Sequence, residues 1–353
     1  MEGDYTVVDT DAHYLEAIAE LAPYFDEDDP WRMRLEEAPG KMTPSNTPDH
    51  YMYGRIQRNE VGYLEGKMAP EEVPVAMEHL GIDKIVMLSH TAIGHAKIGA
   101  QDDRPYVLAK GYMEYMLDKV LDAAEGIHTA IPIPHQDPTD ALSLIEDYGD
   151  EDAVVGLCLI TKGPEPPLGH RRYEPVYEAA QKRGLPVIFH AGGSSLDDFY
   201  VSGFERFIES HSLGFLWSVM AQVTSVVMQG VPEKFPDLDF VFQEAGITWV
   251  PGYMARLDAE FLKRRAEVPL LTKRPSEYMK EFYYGIQPLD YPFDVAYFEE
   301  AIDAMGGADS LMYASDYPHW DYDPPSSITD LPFLSDAEKS QILGGNAEEV
   351  FGI

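Results

Sequence analysis

Three apolar segments of the sequence end in side chains that bind divalent metals. The first runs into Asp11 and His13, the second into His190, and the third into Asp316. If the first segment is a strand, Asp11 and His13 lie two positions apart and point to the same face. A carboxylate and an imidazole placed together in this way can chelate one divalent cation. The repetition of the pattern in three distant segments predicts a metal site where these segments end.

The elements that would position these residues alternate between strand and helix. Eight short apolar segments are predicted strands: residues 6–13, 84–90, 127–133, 154–160, 186–190, 238–244, 282–286 and 311–316. Helical spacing or capping residues predict helices at 72–80, 103–124, 139–148, 173–182, 204–229, 249–265, 293–305, 335–343 and 347–351. Such alternation favours parallel pairing, and eight units in a chain of this length predict a (β/α)8 barrel.

We expect one domain over residues 1–353, with residues 15–80 as a long insertion after the first strand. An insertion of this length beside a site typically covers the site or makes subunit contacts. In this fold the active site lies at the carboxyl ends of the strands, where Asp11, His13, His190 and Asp316 fall.

Composition excludes several classes of function. The 26 basic and 62 acidic residues give a net charge of −36, which repels nucleic acid and anionic membranes. We interpret the acidity as a hydrated surface, as in proteins from a salty cytoplasm, with an acidic docking surface as the alternative. The single cysteine, Cys158, permits no internal disulfide and lies in an apolar segment, which predicts a buried thiol in a reducing compartment.

The sequence predicts a cytoplasmic protein. The first residues, Met-Glu-Gly-Asp-Tyr, lack the features of a secretory signal. No segment has about 18 uninterrupted apolar residues, the length a membrane span needs. Residues 213–231 are the longest candidate, and their serine, threonine and glutamine side chains favour a buried helix of a soluble protein.

The combined motifs resemble the amidohydrolase-related family typified by aminocarboxymuconate semialdehyde decarboxylase and the benzoate-type decarboxylases. The resemblance rests on Asp11-x-His13, on His190-Ala-Gly-Gly, and on Asp316 in Ser-Asp-Tyr-Pro. It extends to residues 133–138 (Ile-Pro-His-Gln-Asp-Pro) and to residues 244–251 (Glu-Ala-Gly-Ile-Thr-Trp-Val-Pro). The resemblance implies a divalent metal held by Asp11, His13, His190 and Asp316, either Zn or Mn, with Fe as an alternative and one or two ions per chain.

The sequence departs from the family pattern at three places. Amidohydrolases usually have His-x-His on the first strand, whereas this chain has a carboxylate at the first position, as decarboxylating members tend to. Glu244 stands where aminocarboxymuconate semialdehyde decarboxylase has a water-activating histidine. His319 and Asp321 follow Asp316 where the decarboxylases more often have an aromatic residue.

Glu244 and His319 admit two interpretations. They either support the ligands through hydrogen bonds, with Glu244 acting as a general base and His319 packing near Trp320, or they bind a second metal. Glu16, three residues after His13, is a weaker partner in either scheme.

Further polar residues follow other strands. We expect Asp9 to bind loop amides and Lys162 to lie just past the fourth strand, where binuclear amidohydrolases have a carboxylated lysine. Substrate binding by Lys162, His170, Arg171 or Arg172 is an alternative to a solvated loop, and His90 and His135 either line the pocket or are buried and hydrogen bonded.

Three reactions remain open for a small, carboxylated or aromatic substrate. In hydrolysis, Asp316 or Glu244 accepts a proton from a metal-activated water. In nonoxidative decarboxylation, Asp316 protonates the carbon that loses CO2. In oxygenation, a dinuclear Fe or Mn centre that includes Glu244 and His319 activates O2. A non-catalytic metal-binding partner subunit is the alternative to an enzyme, and the resemblance implies a homodimer.

Overall fold

Eight parallel strands form one sheet in the order of the chain. The structure, a computed structural model, describes residues 5–37, 68–91, 102–192, 204, 206–290, 294–319 and 321–353. The strands are β1 Val8–Tyr14, β2 Lys84–Ser89, β3 Ile127–Pro132, β4 Val154–Ile160, β5 Val187–His190, β6 Phe240–Gln243, β7 Tyr283–Gly285 and β8 Leu311–Met312. Each strand pairs in parallel with the next one along the chain.

Backbone hydrogen bonds join the last strand to the first and complete the barrel. The amide of Thr10 donates to the carbonyl of Tyr313 over 3.1 Å. Beyond β8, the amide of Asp316 donates to the carbonyl of Asp11, and the amide of His13 donates to the carbonyl of Tyr317, each over 2.7 Å. The (β/α)8 barrel predicted from the sequence is therefore confirmed.

The nine predicted helices are present with shifted ends, and the described residues contain four helices that were not predicted: Pro30–Glu37, Val231–Lys234, Pro275–Met279 and Ser326–Thr329. In chain order the helices are α1 Pro30–Glu37, α2 Glu72–Leu80, α3 Arg104–Tyr115, α4 Pro138–Tyr148, α5 Glu174–Arg183, α6 Phe207–Met228, α7 Val231–Lys234, α8 Val250–Arg264, α9 Pro275–Met279, α10 Val295–Met305, α11 Ser326–Thr329, α12 Asp336–Ser340 and α13 Asn346–Phe351. Local sequence sets their ends: Asp137 accepts a hydrogen bond from the Thr139 amide to cap α4, and Gly184 ends α5 in the left-handed conformation.

Several predicted elements are shorter in the structure, among them the helix at 103–124 and the strand at 311–316. The helix predicted for residues 103–124 leaves the regular α-helical pattern after Tyr115 and continues as a π-helical turn, Met116–Val120. The strand predicted for residues 311–316 pairs only at Leu311–Met312. It ends early because the Tyr313 amide bonds to the carbonyl of Ile342, and because Asp316 has a positive φ that no strand allows.

The insertion after β1 contains regular structure at its start. A 3-10 helix, Ile18–Tyr24, is followed by α1, so this part is less irregular than the sequence suggested. The middle of the predicted insertion, residues 38–67, lies outside the described residues.

Two apolar layers enclose the strands. Side chains inside the barrel form the smaller layer, which includes Val86, Leu88, Cys158, Ile160 and Ile188. The larger layer lies between the strands and the surrounding helices. Cys158 is buried inside the barrel, as predicted.

One helix, α6, is long and apolar enough over Ile208–Met228 to cross a membrane by length and composition, with a mean hydropathy of 1.2. The sequence had favoured a buried helix for this region. Two of its polar side chains face the barrel: Oγ of Ser218 lies 2.7 Å from Oγ1 of Thr161, and Gln222 donates to the Thr161 carbonyl over 2.8 Å. These bonds hold α6 against the end of β4, as expected for a helix of the outer layer.

Candidate metal centre

The four predicted ligands meet at the mouth of the barrel. Asp11 and His13 lie on β1, where the register shifts between Asp9 and Ala12, while His190 ends β5 and Asp316 follows β8. All four side chains are buried, with exposed fractions of 1% or less. Residues more than 300 positions apart thus share one buried site.

The ligand atoms converge on a common point. Nε2 of His13 lies 3.1 Å from Nε2 of His190 and 3.1 Å from Oδ1 of Asp316. Oδ1 of Asp11 lies 3.3 Å from Nε2 of His190 and 3.7 Å from Nε2 of His13. Two imidazole nitrogens and two carboxylate oxygens therefore face one another at the spacing of metal ligands.

Hydrogen bonds leave these atoms available to a cation. His190 donates from Nδ1 to the carbonyl of Ala191 over 2.6 Å, which leaves a lone pair on Nε2 facing the cluster. Among the described residues, neither carboxylate oxygen of Asp11 has a hydrogen-bond partner. Because buried carboxylate oxygens without partners are unfavourable, a divalent cation fits this set of donors. The cluster thus supports a divalent metal.

The pKa values of the two histidines move in opposite directions. Burial, aided by the charge of His319, lowers the pKa of His13 to about 4. Burial also acts against the charged form of His190, but the negative charge of the nearby Asp11 outweighs burial and raises the pKa of His190. A neutral His13 is the form that binds a metal.

The pKa values of Glu244, which follows β6, and Asp316, which follows β8, are also shifted in opposite directions. Burial raises the pKa of Glu244 well above its ordinary value, and the charges of Asp316, Asp11 and Asp321 add to the effect. Burial opposes ionisation of Asp316, yet the charge of His319 and a hydrogen bond from His13 hold its pKa well below the usual range. Without a metal, the surroundings of Glu244 therefore favour its protonated form, and those of Asp316 favour its ionised form.

His319 lies beside the cluster. Its Nδ1 donates to Oδ1 of Asp316 over 2.6 Å, and its Nε2 lies 3.4 Å from Nδ1 of His90. Its ring centroid lies 4.4 Å from that of His13. The predicted packing of His319 near Trp320 involves a residue outside the described part of the chain.

Other predicted residues lie around this centre. Glu16 is buried and accepts hydrogen bonds from Ser89, over 2.5 Å, and from Thr91. Asp9 accepts hydrogen bonds from the amide and hydroxyl of Ser315, over 2.9 and 2.5 Å. Glu16 lies outside the groups of side chains close enough to share a metal, whereas Asp9 binds backbone as the sequence suggested.

Lys162 is buried beyond β4, and its stem lies along Gly192, where a Cβ would come within 3.3 Å of Cβ of Lys162. A side chain at Gly192 would therefore crowd Lys162, while the neighbouring Gly193 lies outside the described residues.

The basic residues near β3 and β4 make local contacts. His135 is buried at the end of β3, and Arg172 donates to the carbonyl of Gln136 over 2.6 Å. His170 accepts from the Arg172 amide, and Arg171 is exposed. None of these four side chains belongs to a group of potential ligands in the part of the chain that the structure describes.

A cavity of about 330 Å³ lies beside the centre. Glu244 and Gln287 line it, together with Phe215, Trp249, Thr248 and Asp321. Sequence reasoning missed Gln287, which follows β7 and donates to Oδ2 of Asp316 over 3.3 Å. Its position just beyond a strand end was the available signal. A cavity of this size can accept a small ligand next to the buried carboxylates.

Residues 8–353 match the model of the amidohydrolase family. The chain belongs to this family. The match confirms the relationship inferred from Asp11-x-His13, His190 and Asp316. Members of this family are enzymes.

Solved structures share the fold of this amidohydrolase over nearly its whole length. The 5-carboxyvanillate decarboxylase from Sphingomonas paucimobilis is 18% identical, with a TM-score of 0.71 and coverage of 99% of this chain and 100% of that chain. A dihydroxybenzoic acid decarboxylase from Polaromonas, with bound manganese and 2-nitroresorcinol, is 17% identical, with a TM-score of 0.68 over 99% and 97%. An amidohydrolase from Mycobacterium avium subsp. paratuberculosis is 17% identical, with a TM-score of 0.74 over 99% and 100%.

Proposed function

We propose that this amidohydrolase catalyses the metal-dependent, nonoxidative decarboxylation of an aromatic carboxylic acid. The observation that carries the proposal is the convergence of Asp11, His13, His190 and Asp316 beside a small cavity. The family match and the two decarboxylases of similar fold support the same reaction.

Asp11, His13, His190 and Asp316 would hold the ion. Two imidazoles and two carboxylates suit Mn or Zn, with Fe as an alternative, and the manganese in the similar decarboxylase favours Mn. Such an ion would supply a Lewis acid for the oxygen atoms of the substrate. The two carboxylates balance its two positive charges.

Glu244 is the proposed proton donor. When their surroundings move the pKa values of two carboxyl groups apart, the group with the raised pKa is the better acid, and here that group is Glu244. Glu244 also lines the cavity. Asp316 has a lowered pKa and keeps its negative charge. The sequence had given the proton to Asp316, and the surroundings of the two groups favour Glu244.

The proton moves from a Glu244 carboxyl oxygen to the ring carbon that bears the carboxylate. A C–H bond forms there, the C–C bond to the carboxylate breaks, and its electron pair returns to the ring as CO2 leaves. The reaction needs no oxidant, and solvent returns one proton to Glu244 in each turnover. Phe215 and Trp249 would lie against the faces of the substrate ring.

The test uses protein loaded with Mn²⁺ under nitrogen. Benzoate, hydroxybenzoates and dihydroxybenzoates are incubated with it, and the loss of substrate, the matching phenol or arene, and CO2 are measured. We expect equal amounts of CO2 and decarboxylated product, with no need for O2, and a loss of at least a hundredfold in rate for Glu244→Gln.

The alternatives give different outcomes in the same assay. Release of an alcohol or amine from ester or amide substrates, without CO2, would instead establish a hydrolase. Product formation only in the presence of O2 would establish the dinuclear oxygenase. Metal binding without turnover of any of these substrates would favour the non-catalytic partner subunit.

We also propose a cytoplasmic homodimer that binds a small-molecule substrate and neither nucleic acid nor membrane. Ile208 and Trp217, which are 54% and 47% exposed on α6, support a contact between subunits. Light scattering of the purified chain would decide the oligomeric state, because a monomer has a mass of 39.6 kDa.

A further inference from the structure

The cavity beside the metal centre has an acidic lining. Three of the residues that line it carry carboxyl groups: Glu244, Asp290 and Asp321. The described residues around it include no lysine and no arginine, and His211 is the one basic side chain among them. A small molecule in this cavity therefore meets three carboxyl groups and one imidazole.

One of the three carboxyl groups has a basic neighbour. Nε2 of His211 lies 3.5 Å from Oδ2 of Asp321, and the two side chains are 18% and 13% exposed. A single imidazole carries at most one positive charge, so it can balance one carboxylate of the lining. The other negative charges of the lining remain available to a positively charged ligand.

Asp290 lies in negative surroundings. Partial burial, aided by the charge of Asp323, raises the pKa of Asp290. A close cationic partner would lower this pKa instead, so a positively charged ligand would stabilise the Asp290 carboxylate. Its position is set by Gly246, because a Cβ on Gly246 would come within 3.0 Å of Oδ2 of Asp290. The absence of a side chain at Gly246 thus leaves room for the carboxylate.

A buried acceptor in the same lining lacks a donor. Gln287 is 1% exposed, and its Nε2 donates to Oδ2 of Asp316 over 3.3 Å. This contact fixes the orientation of the amide, because an ionised carboxylate can only accept. Oε1 of Gln287 has no hydrogen-bond partner among the described residues. Since buried acceptors are normally paired, this oxygen points to a ligand that brings a hydrogen-bond donor.

We propose that the substrate is an aromatic acid with a protonated amine on the part of the ring away from its carboxylate, and that the cavity excludes a second carboxylate. The amine would face Asp290 and Asp321, and its positive charge and three donors match acceptors that lack them. A second carboxylate would meet like charges there. This inference rests on the proposed function, because it assumes that the substrate carboxylate lies at the metal centre.

The test compares three benzoates that differ only at the para position. 4-(Aminomethyl)benzoate carries a positive charge there, 4-(hydroxymethyl)benzoate a neutral hydroxyl, and terephthalate a second carboxylate. Their binding to Mn²⁺-loaded protein is followed by stopped-flow tryptophan fluorescence, before turnover, at about 0.15 M salt to screen the distant surface charges. We expect the amine to bind about tenfold more tightly than the alcohol, and terephthalate at least about tenfold more weakly than the alcohol.

Two variants assign the preference to the cavity. Asp290→Asn and Asp321→Asn each remove one negative charge and keep the shape of the side chain. We expect each to reduce the preference for the amine over the alcohol by about threefold or more and to strengthen the binding of terephthalate. Asp150→Asn is the matched control, because it removes one negative charge from a side chain that is 81% exposed between α4 and β4. Its preference should equal that of the wild type.

Several results would overturn the proposal. Equal affinities for the amine and the alcohol would do so, as would terephthalate bound as tightly as the alcohol. A wild-type preference in both Asp290→Asn and Asp321→Asn would also do so. The measurement is affinity rather than CO2 release. The expected order of binding without any CO2 release would overturn only the proposed function, whereas CO2 release together with tight binding of terephthalate would overturn only this inference.

Discussion

Asp9 and Ser315 join the first strand of the barrel to the segment that follows the last strand. The amide and the hydroxyl of Ser315, beyond β8, both donate to the buried carboxylate of Asp9 on β1, and the Asp11 amide donates to it over 3.2 Å. The segments that carry Asp11 and Asp316 are thereby fixed to each other.

Asp9→Ala should weaken both the fold and the centre. It leaves three buried donors without an acceptor, so we expect the free energy of unfolding to fall by about 3 kcal/mol, measured by urea denaturation. Mn²⁺ affinity should fall by about tenfold or more because the ligands beside it lose their support. In Asp137→Ala, which removes an exposed helix cap, we expect a loss of about 1 kcal/mol and unchanged affinity. Unchanged Mn²⁺ affinity in Asp9→Ala would contradict this role.

Mn²⁺ should stabilise the wild-type protein against heat, since an ion that binds only the folded chain raises Tm. His190→Ala removes one ligand and is expected to abolish most of this rise. His128→Gln changes a histidine at the opposite end of the barrel, and its Mn²⁺-dependent rise should match the wild type. A normal rise in His190→Ala would remove His190 from the ligand set.

Gly285→Ala should destabilise the barrel. A Cβ on Gly285 would overlap Oε1 of Gln243, whose amide donates to Oγ1 of Thr10 over 2.9 Å. We expect a loss of about 1–3 kcal/mol, measured by thermal denaturation. Gly252→Ala, in helix α8 with open space around it, should be neutral or stabilising by about 0.5–1 kcal/mol. Equal stability of the two variants would refute the overlap.

His135 should make the fold sensitive to acid. Burial, with a contribution from the charge of Arg172, lowers its pKa from 6.5 to about 4. Above pH 6.5 it is neutral in both the folded and the unfolded state, so its contribution to stability is complete there. As the pH falls from 6.5 to 4, the unfolded state gains the proton first, and stability falls by up to about 3 kcal/mol. His135→Gln should lose this part of the pH dependence, measured as the free energy of unfolding against pH. If the curves of the variant and the wild type are parallel between pH 6.5 and 4, His135 is not responsible.

The net charge of −36 predicts a dependence on salt. Acidic side chains repel one another across the surface, and salt screens this repulsion within a Debye length of about 10 Å at 0.1 M. We therefore expect Tm to rise by several degrees between about 0.1 M and about 2 M KCl. A Tm that is constant or falls over this range would argue against self-repulsion as a limit on stability.

The sequence by itself determined the barrel and most of its elements. Short apolar segments alternating with amphipathic ones permit few arrangements, because each strand needs both faces covered. The segment 154–160 became β4 with the same bounds. The end of β8 could not be read from its apolar pattern, because it depends on bonds to β1 and to Ile342.

Local sequence also placed Asp11, His13, His190 and Asp316 at strand ends, since a strand fixes the direction of every second side chain. The tertiary structure decided which of their atoms meet and which pKa values rise or fall. These properties depend on burial and on distances between residues that are remote in the chain, and local periodicity carries no information about either.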